Sequence, residues 1–345
     1  MANIAVIGAG SWGTALAALL SNNGNNITIW SCVESEVEML KEFHEQKDKL
    51  PGVILKDDMV FTTSLEDAMK DKDVLVLAVP SPFTRSTAHN MAAYIKEGQI
   101  VVNVAKGIED STLMTLSQII EEELPTANVC VLSGPSHAEE VGKGLPTTIV
   151  VGSKDKDTAV YLQNIFMSDV FRVYISSDIL GIEIGAALKN VVALAAGMAD
   201  GLGCGDNTKA ALITRGIAEI ARLGINMGGR IETFYGLTGI GDLIVTCASM
   251  HSRNRRAGIL IGQGKTYEEA MEEVKQVVEG VYAAKAGLAL SKKYNVSMPI
   301  IEFVNKILFE GISAKEAVGY LMKREGKIEN IDLRELYQNS VEIPW

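Results

Sequence analysis

The chain has 345 residues, 47% of them hydrophobic, enough for a full-sized globular core and, by length, about two domains. Its 43 acidic and 32 basic side chains leave a formal net charge of -11, which argues against non-specific attachment to nucleic acid or to an anionic membrane surface. An anionic ligand must therefore be met by locally placed cations.

From Ile4 to Leu20 the sequence reads IAVIGAGSWGTALAALL, a short apolar run that meets three glycines and passes into an Ala/Leu-rich helical pattern. That order predicts strand, tight turn and helix. Gly8 permits the turn, Gly10 lets backbone approach a pyrophosphate, and Gly13 lets helix and strand pack closely. The helix N-terminus offers unpaired N–H groups and about half a positive charge to an anion. Asn23-Gly24 closes the helix, and Ile27 to Trp30 predicts a second strand. A ribose-binding Asp or Glu, or an Arg for a 2′-phosphate, is expected at its end, yet Ser31-Cys32-Val33 supplies neither and Glu34 comes late. An uncompensated phosphate is the costlier omission, so NADH is expected to serve at least as well as NADPH unless Lys49 folds over the adenosine.

A helix through Val37 and Leu40 and a short strand near Met59 to Thr62 come next. Continuous apolar strands follow at Val74 to Val79, Ile100 to Ala105 and Val129 to Leu132, as expected of a parallel sheet covered on both faces. They end at Pro80-Ser81-Pro82, at Lys106-Gly107 and at Ser133-Gly134-Pro135-Ser136. Ligands of such sheets sit beyond the carboxyl ends of the strands, which places these segments around one crevice with Gly8. There Lys106 reads either as a ligand contact or as a solvated loop lysine, and Ser136 as a helix N-cap that can also hold an anion. Strands at Thr147 to Gly152 and Val170 to Ile175, around a helix from Asp155 to Phe166, close a Rossmann-type dinucleotide-binding domain, residues 1–177.

From Ile179 onward the pattern is helical, giving an α/β domain followed by an all-helical domain, residues 178–345. The helix GIEIGAALKNVVALAAGMADGLG is apolar almost all round and so predicted buried. Lys189 within it reads either as a snorkelling lysine or as one whose pKa burial lowers toward a catalytic range. A helix over Thr208 to Met227 leads to GLTGIGDLIVTC, where Asp242 is expected to cap a helix after Gly241. Ser252-Arg253-Asn254-Arg255-Arg256 reads as a phosphate fork or as a basic helix start, and the second reading suits Arg255 and Arg256 better than Arg253. Val277 to Val281 opens a further helix; the tail from Lys327 to Trp345 carries no readable signal. Cys32, Cys130, Cys204 and Cys247 are scattered, without a metal-ligand spacing, so no metal is expected and reduced thiols in the cytoplasm fit best. No basic leader precedes the first strand and no apolar run approaches the roughly 18 residues of a membrane span, so no membrane insertion is expected.

Taken together, GAGSWGTALA, VAKGIE, LSGPSHAEEV, EIGAALKNVVALAAG, LTGIGDLIVTCASMHSRNRRAG and VVEGV resemble the bacterial type of NAD(P)-dependent glycerol-3-phosphate dehydrogenases, in the family order. The resemblance implies interconversion of dihydroxyacetone phosphate and sn-glycerol 3-phosphate with NAD(P)H, supplying phospholipid synthesis in the cytoplasm, by a homodimer that binds a phosphorylated triose and no nucleic acid. It makes Lys189 the acid/base, with Lys106, Asn190, Asp242 and Thr246 around the reacting oxygens. It puts Gly134, Ser136, Ser252, Arg253 and Asn254 at the substrate. Ser11, Trp12, Lys106, Ala138, Arg253, Val277 and Glu279 fall at its cofactor contacts, beside Gly8, Gly10 and Gly13. Cys32-Val33 and Lys49 depart from the His or Arg and the Tyr that members often carry, which leaves the choice between NADH and NADPH open. Competing readings are a 6-phosphogluconate or β-hydroxyacid type dehydrogenase and a non-catalytic dinucleotide-sensing protein.

Overall fold

The computed structural model describes residues 1–326; the tail from Lys327, and with it the end of the second expected domain, lies outside the described residues. The first part alternates strand and helix: β1 (Asn3–Ile7), α1 (Ser11–Asn22), β2 (Asn26–Trp30), α2 (Glu34–Phe43), β3 (Val60–Thr62), α3 (Leu65–Met69), β4 (Val74–Leu77), α4 (Thr84–Met91), β5 (Ile100–Asn103), α5 (Leu116–Glu123), β6 (Asn128–Ser133), α6 (Ala138–Gly142), β7 (Thr147–Gly152), α7 (Lys156–Phe166) and β8 (Phe171–Ser176). The strands form one sheet in the order β3-β2-β1-β4-β5-β6-β7-β8. All four residues of β4 are buried because both faces of the sheet are covered. Leu16, Leu162 and Phe166 pack on one face; Ala68, Ala88 and Ile120 pack on the other.

The strands β4, β5 and β6 are parallel as expected, whereas β7 runs antiparallel to β6 and parallel to β8. The connection from β6 holds only the five-residue α6, which packs on α1, so the chain re-enters the sheet in the opposite direction. β1 turns into α1 through Gly8 at φ +125°, where a Cβ would also meet the Ala78 carbonyl oxygen at 2.8 Å. A Cβ on Gly13 would collide with the Gly8 carbonyl, so helix and turn are in backbone contact.

After β8 come α8 (Ile179–Gly201), α9 (Asp206–Asn226), α10 (Ile231–Phe234), a π-helical turn (Leu237–Gly241), α11 (Asp242–Ala248), α12 (Arg253–Gly262), α13 (Tyr267–Val274), α14 (Glu279–Lys293), α15 (Pro299–Phe309) and α16 (Ala314–Met322). Helix α8 corrects the expectation that no apolar run approaches membrane-span length. It has 23 residues, and an 18-residue stretch of it reaches a mean hydropathy of 1.7, but 94% of that stretch is buried inside the protein, and the helix packs among α9, α11, α12 and α14. Its start is fixed by Asp178, whose carboxylate accepts from Gly181 N (2.9 Å), Arg230 N (2.8 Å) and Thr233 Oγ1 (2.6 Å). Its small residues let α12 approach to backbone contact: a Cβ on Gly197 would strike the Arg255 carbonyl, and one on Gly258 would strike the Leu194 carbonyl.

Candidate active site

Lys189 projects from α8 into the junction between sheet and helices and does not snorkel, being only 5% exposed. Its Nζ lies 2.5 Å from Asp242 Oδ1 and 2.6 Å from Thr246 Oγ1. Asp242 and Thr246 share one face of α11 because they stand four residues apart. The π-helical turn runs directly into α11, so Gly241 takes the cap position and Asp242 becomes the first helical residue. Its carboxylate therefore caps nothing, contrary to the simplest sequence reading. The second oxygen, Oδ2, holds Lys106 Nζ at 2.7 Å, and the same Nζ donates to the Gly134 carbonyl at 3.0 Å. Lys106 is thus no solvated loop lysine. One carboxylate ties a lysine from the loop after β5 to a lysine from α8.

Burial pushes the Lys189 ammonium down to about 8, aided by repulsion from Lys106 and opposed by Asp242. Burial acts upward on Asp242, but the charges and hydrogen bonds of Lys106 and Lys189 prevail and hold its carboxyl below the usual range. The cluster therefore contains a lysine able to exchange its proton near neutrality, a permanent counter-charge and a second cation.

Around it, Asn190 Oδ1 accepts from Asn254 Nδ2 at 2.9 Å, and Asn254 Oδ1 accepts from Gly280 N at 2.8 Å, which ties α8, α12 and α14 together. Ser252 caps α12, accepting from Arg255 N at 3.2 Å. The arginines of the cluster separate. Arg255 is committed to Asp200 (Nε to Oδ2, 2.8 Å) and to the Ala248 carbonyl. Arg253 makes no hydrogen bond or ion pair among the described residues; burial lowers its pKa, and Glu279 and Glu139 oppose that shift. Ser136 donates to the Gly134 carbonyl at 2.9 Å and is not the N-cap of α6, a place taken by His137. The ring of His137 has an unpaired, buried Nε2, and burial together with Lys189 holds its pKa down.

On the sheet side, α1 starts from Gly10 without a side-chain cap and with no acid in its first turn, where Ser11 and Trp12 are partly exposed. A Cβ on Gly10 would meet nothing within 4 Å, so the turn faces open space beside unpaired N–H groups. This cradle fits a dinucleotide's pyrophosphate. Gly8 N donates to the Trp30 carbonyl at 2.8 Å, which brings the end of β2 beside the turn. Ala138 is buried at the start of α6, and Val277 is partly buried before α14. Glu279, the first residue of α14, reaches across to the loop after β4, where its carboxylate accepts from Ser81 Oγ (2.5 Å) and Ser81 N (3.3 Å). Its burial raises its pKa against those hydrogen bonds.

Two features escape sequence reading. An acid does stand at the end of β2: Glu36, from the first turn of α2, reaches back and accepts from Ser31 Oγ at 2.6 Å. The expectation of no acid there is corrected; the Ser-to-Glu spacing of five residues, strand end to helix turn, is the only signal that could have found it. Glu183 on α8 is the second: buried, it accepts from Ser117 N (2.9 Å), Ser117 Oγ (2.5 Å) and Asn103 Nδ2 (3.3 Å), and so docks α8 onto β5 and α5 just before Lys106.

Comparison with known proteins gives a consistent result. The family described as NAD-dependent glycerol-3-phosphate dehydrogenase N-terminus matches residues 3–159, and the corresponding C-terminus matches residues 178–319. The glycerol-3-phosphate dehydrogenase (NAD(P)+) of Agathobacter rectalis is 65% identical over 333 residues, 96% of this chain and 99% of its own length. That of Fusobacterium nucleatum is 62% identical over 331 residues, 95% of this chain and 99% of its own. The crystal structure of glycerol-3-phosphate dehydrogenase from Coxiella burnetii is similar with a TM-score of 0.91 at 34% identity, covering 94% of this chain and 99% of that one.

Proposed function

The chain belongs to the NAD-dependent glycerol-3-phosphate dehydrogenase family, and from that premise we propose how its residues divide the work of the reaction. It is an NAD(P)-dependent oxidoreductase that interconverts dihydroxyacetone phosphate and sn-glycerol 3-phosphate. The 6-phosphogluconate or β-hydroxyacid type and the non-catalytic sensor are not favoured by relatives that carry the glycerol-3-phosphate dehydrogenase name along their whole length.

The nicotinamide, when bound, supplies or accepts the hydride at the substrate's central carbon. The Lys189 ammonium gives its proton to the carbonyl oxygen in reduction, and the free amine takes it back in oxidation. Asp242 holds Lys189 in place and keeps its ammonium populated, while Thr246 fixes the Nζ from the other side. Lys106 supplies positive charge where the oxygen becomes anionic. Asn190 and Asn254 orient the surrounding backbone, and Arg253, uncommitted and partly desolvated, meets the phosphate with Ser252. Gly134 and Ser136 line the substrate's other side. Gly8, Gly10, Gly13, Ser11, Trp12, Ala138, Val277 and Glu279 serve the dinucleotide, with Lys106 and Arg253 at the boundary between cofactor and substrate.

The carrying observation is the Asp242 carboxylate shared by Lys189 and Lys106, because it supplies one titratable donor and one fixed cation at a single point. A division into residues 1–177 for the dinucleotide and residues 178–345 for substrate and catalysis accords with the change from strands to helices at Ser176. A homodimer, a cytoplasmic setting, the absence of nucleic-acid and membrane partners and a role upstream of phospholipid synthesis complete the proposal. The test is the absorbance of reduced nicotinamide on mixing the protein with each cofactor and with dihydroxyacetone phosphate, dihydroxyacetone or 6-phosphogluconate. Turnover confined to the phosphorylated triose is expected; cofactor binding without turnover overturns the assignment.

A further inference from the structure

The end of β2 carries a built device that the dehydrogenase reaction alone does not explain. Glu36 is fixed there by Ser31 Oγ at 2.6 Å, and Ser31 in turn receives Val33 N at 3.2 Å. The other carboxylate oxygen of Glu36 is paired with Lys49 Nζ. Lys49 belongs to the loop between α2 and β3, and that loop is fastened to the glycine turn itself: the fully buried Gln46 donates from Nε2 to the Ala9 carbonyl at 3.1 Å, and its own carbonyl accepts from Leu50 N at 2.9 Å. Four segments thus converge beside the turn, namely the end of β2, the first turn of α2, the Lys49 loop and Ala9. In a sheet of this topology the adenosine ribose lies against that place.

We propose that Glu36 and Lys49 together decide between NADH and NADPH by exchanging partners, an inference that rests on the dehydrogenase reading. With NADH, Glu36 accepts the ribose 2′-hydroxyl in addition to Ser31, and Lys49 stays paired with it. With NADPH, Lys49 leaves Glu36 for the 2′-phosphate, and Glu36 stands as an uncompensated negative charge beside that phosphate. Lys49, 42% exposed on its side chain, is free to swing, whereas Glu36, 14% exposed and held by Ser31, is not. The pair therefore accepts both cofactors and favours NADH. Cys32 and Val33 add no charge to either side of the balance.

The test compares Glu36→Gln and Lys49→Gln with the unmodified full chain. Two readouts are used: kcat/KM for NADPH over NADH, and calorimetric Kd for adenosine 5′-diphosphate against adenosine 2′,5′-bisphosphate, which report the ribose site without any turnover. Glu36→Gln keeps the Ser31 hydrogen bond and removes the repulsion, so the preference for the 2′-phosphorylated partner should rise at least about tenfold in both readouts. Lys49→Gln should lower it by a similar factor. A Glu36→Gln preference within about twofold of the unmodified protein overturns the proposal, as does a Lys49→Gln protein that binds the bisphosphate undiminished. Lys49 lies on the surface, so its variant keeps the question answerable if Glu36→Gln folds poorly. Failure of the dehydrogenase reading is distinguishable: it abolishes turnover with both cofactors and leaves the fragment-binding ratios to judge Glu36 and Lys49.

Discussion

Replacing Asp242 by Asn removes one buried negative charge with little change of shape, and its first effect falls on Lys189. That lysine titrates at about 8 because burial lowers it while Asp242, 2.5 Å away, holds it up. Charges about 4 Å apart at an effective dielectric near 20 interact by roughly 4 kcal/mol, or about three pKa units. Without that attraction, and with burial and Lys106 still acting downward, Lys189 should titrate well below its value in the unmodified protein. Ketone reduction needs the ammonium, which is present below the folded pKa and lost above it; alcohol oxidation needs the free amine and has the opposite dependence. Reduction by the unmodified enzyme should therefore decline as pH rises through about 8, and reduction by the variant should decline at a distinctly lower pH. At neutral pH most variant molecules then lack the proton, so kcat for reduction should drop by at least about tenfold and recover toward acid. Steady-state rates at saturating cofactor, across about pH 5 to 9, measure this. Loss of the carboxylate that both lysines share should also cost stability, by up to about 3 to 5 kcal/mol, so rates are taken well below the variant's melting range. A variant whose reduction limb falls at the same pH as the unmodified enzyme would refute the coupling.

Lys189→Ala should lower kcat about 100- to 10,000-fold while fluorescence titration shows nearly unchanged cofactor affinity; activity within a few-fold would remove Lys189 from proton transfer. Arg253→Ala should raise KM for dihydroxyacetone phosphate by about 10- to 100-fold with a smaller effect on kcat, which steady-state rates at saturating cofactor measure; a KM within about twofold of the unmodified protein would remove Arg253 from phosphate binding. Gly197→Ala sets a Cβ against the Arg255 carbonyl and should destabilise by about 1 to 3 kcal/mol in urea unfolding, with a raised KM because α12 is displaced. Val33→Arg adds a cation at the end of β2 and should raise the NADPH share of kcat/KM, measured with both cofactors in parallel.

What the sequence made legible was local. The strand, glycine turn and helix at Ile4 to Leu20 could be read because each residue's role depends on near neighbours, and α1 forms within two residues of that expectation. The buried helix around Lys189 announced itself by apolarity on every side. Which group would meet Lys189 was less plain: in the chain Asp242 looks like an ordinary cap, and its contact with Lys106 spans 136 positions. Glu279 and Ser81 are 198 positions apart, and no periodicity or spacing reports such a pairing. Glu183 was hidden for a different reason, since a lone acid in an apolar helix looks the same whether it meets Ser117 or water. The direction of β7 is not legible in the chain, because its apolar residues suit a parallel and an antiparallel strand alike.

The close approach of α8 and α12 has a consequence for selectivity. Lys189 stands on one of these helices and Arg253 on the other, and where they touch, glycine meets main-chain carbonyl with no side chain between. The Cα-to-Cα span between the proposed proton donor and the proposed phosphate anchor is consequently set by backbone contact, and only the Lys189 and Arg253 side chains themselves are left to vary it. On the proposed roles, a phosphorylated ketone with one more carbon between carbonyl and phosphate is expected to meet one of these two side chains less well. Since a misplacement of about 1 Å already costs on the order of 100-fold, the longer homologue is expected to react poorly without a residue dedicated to excluding it.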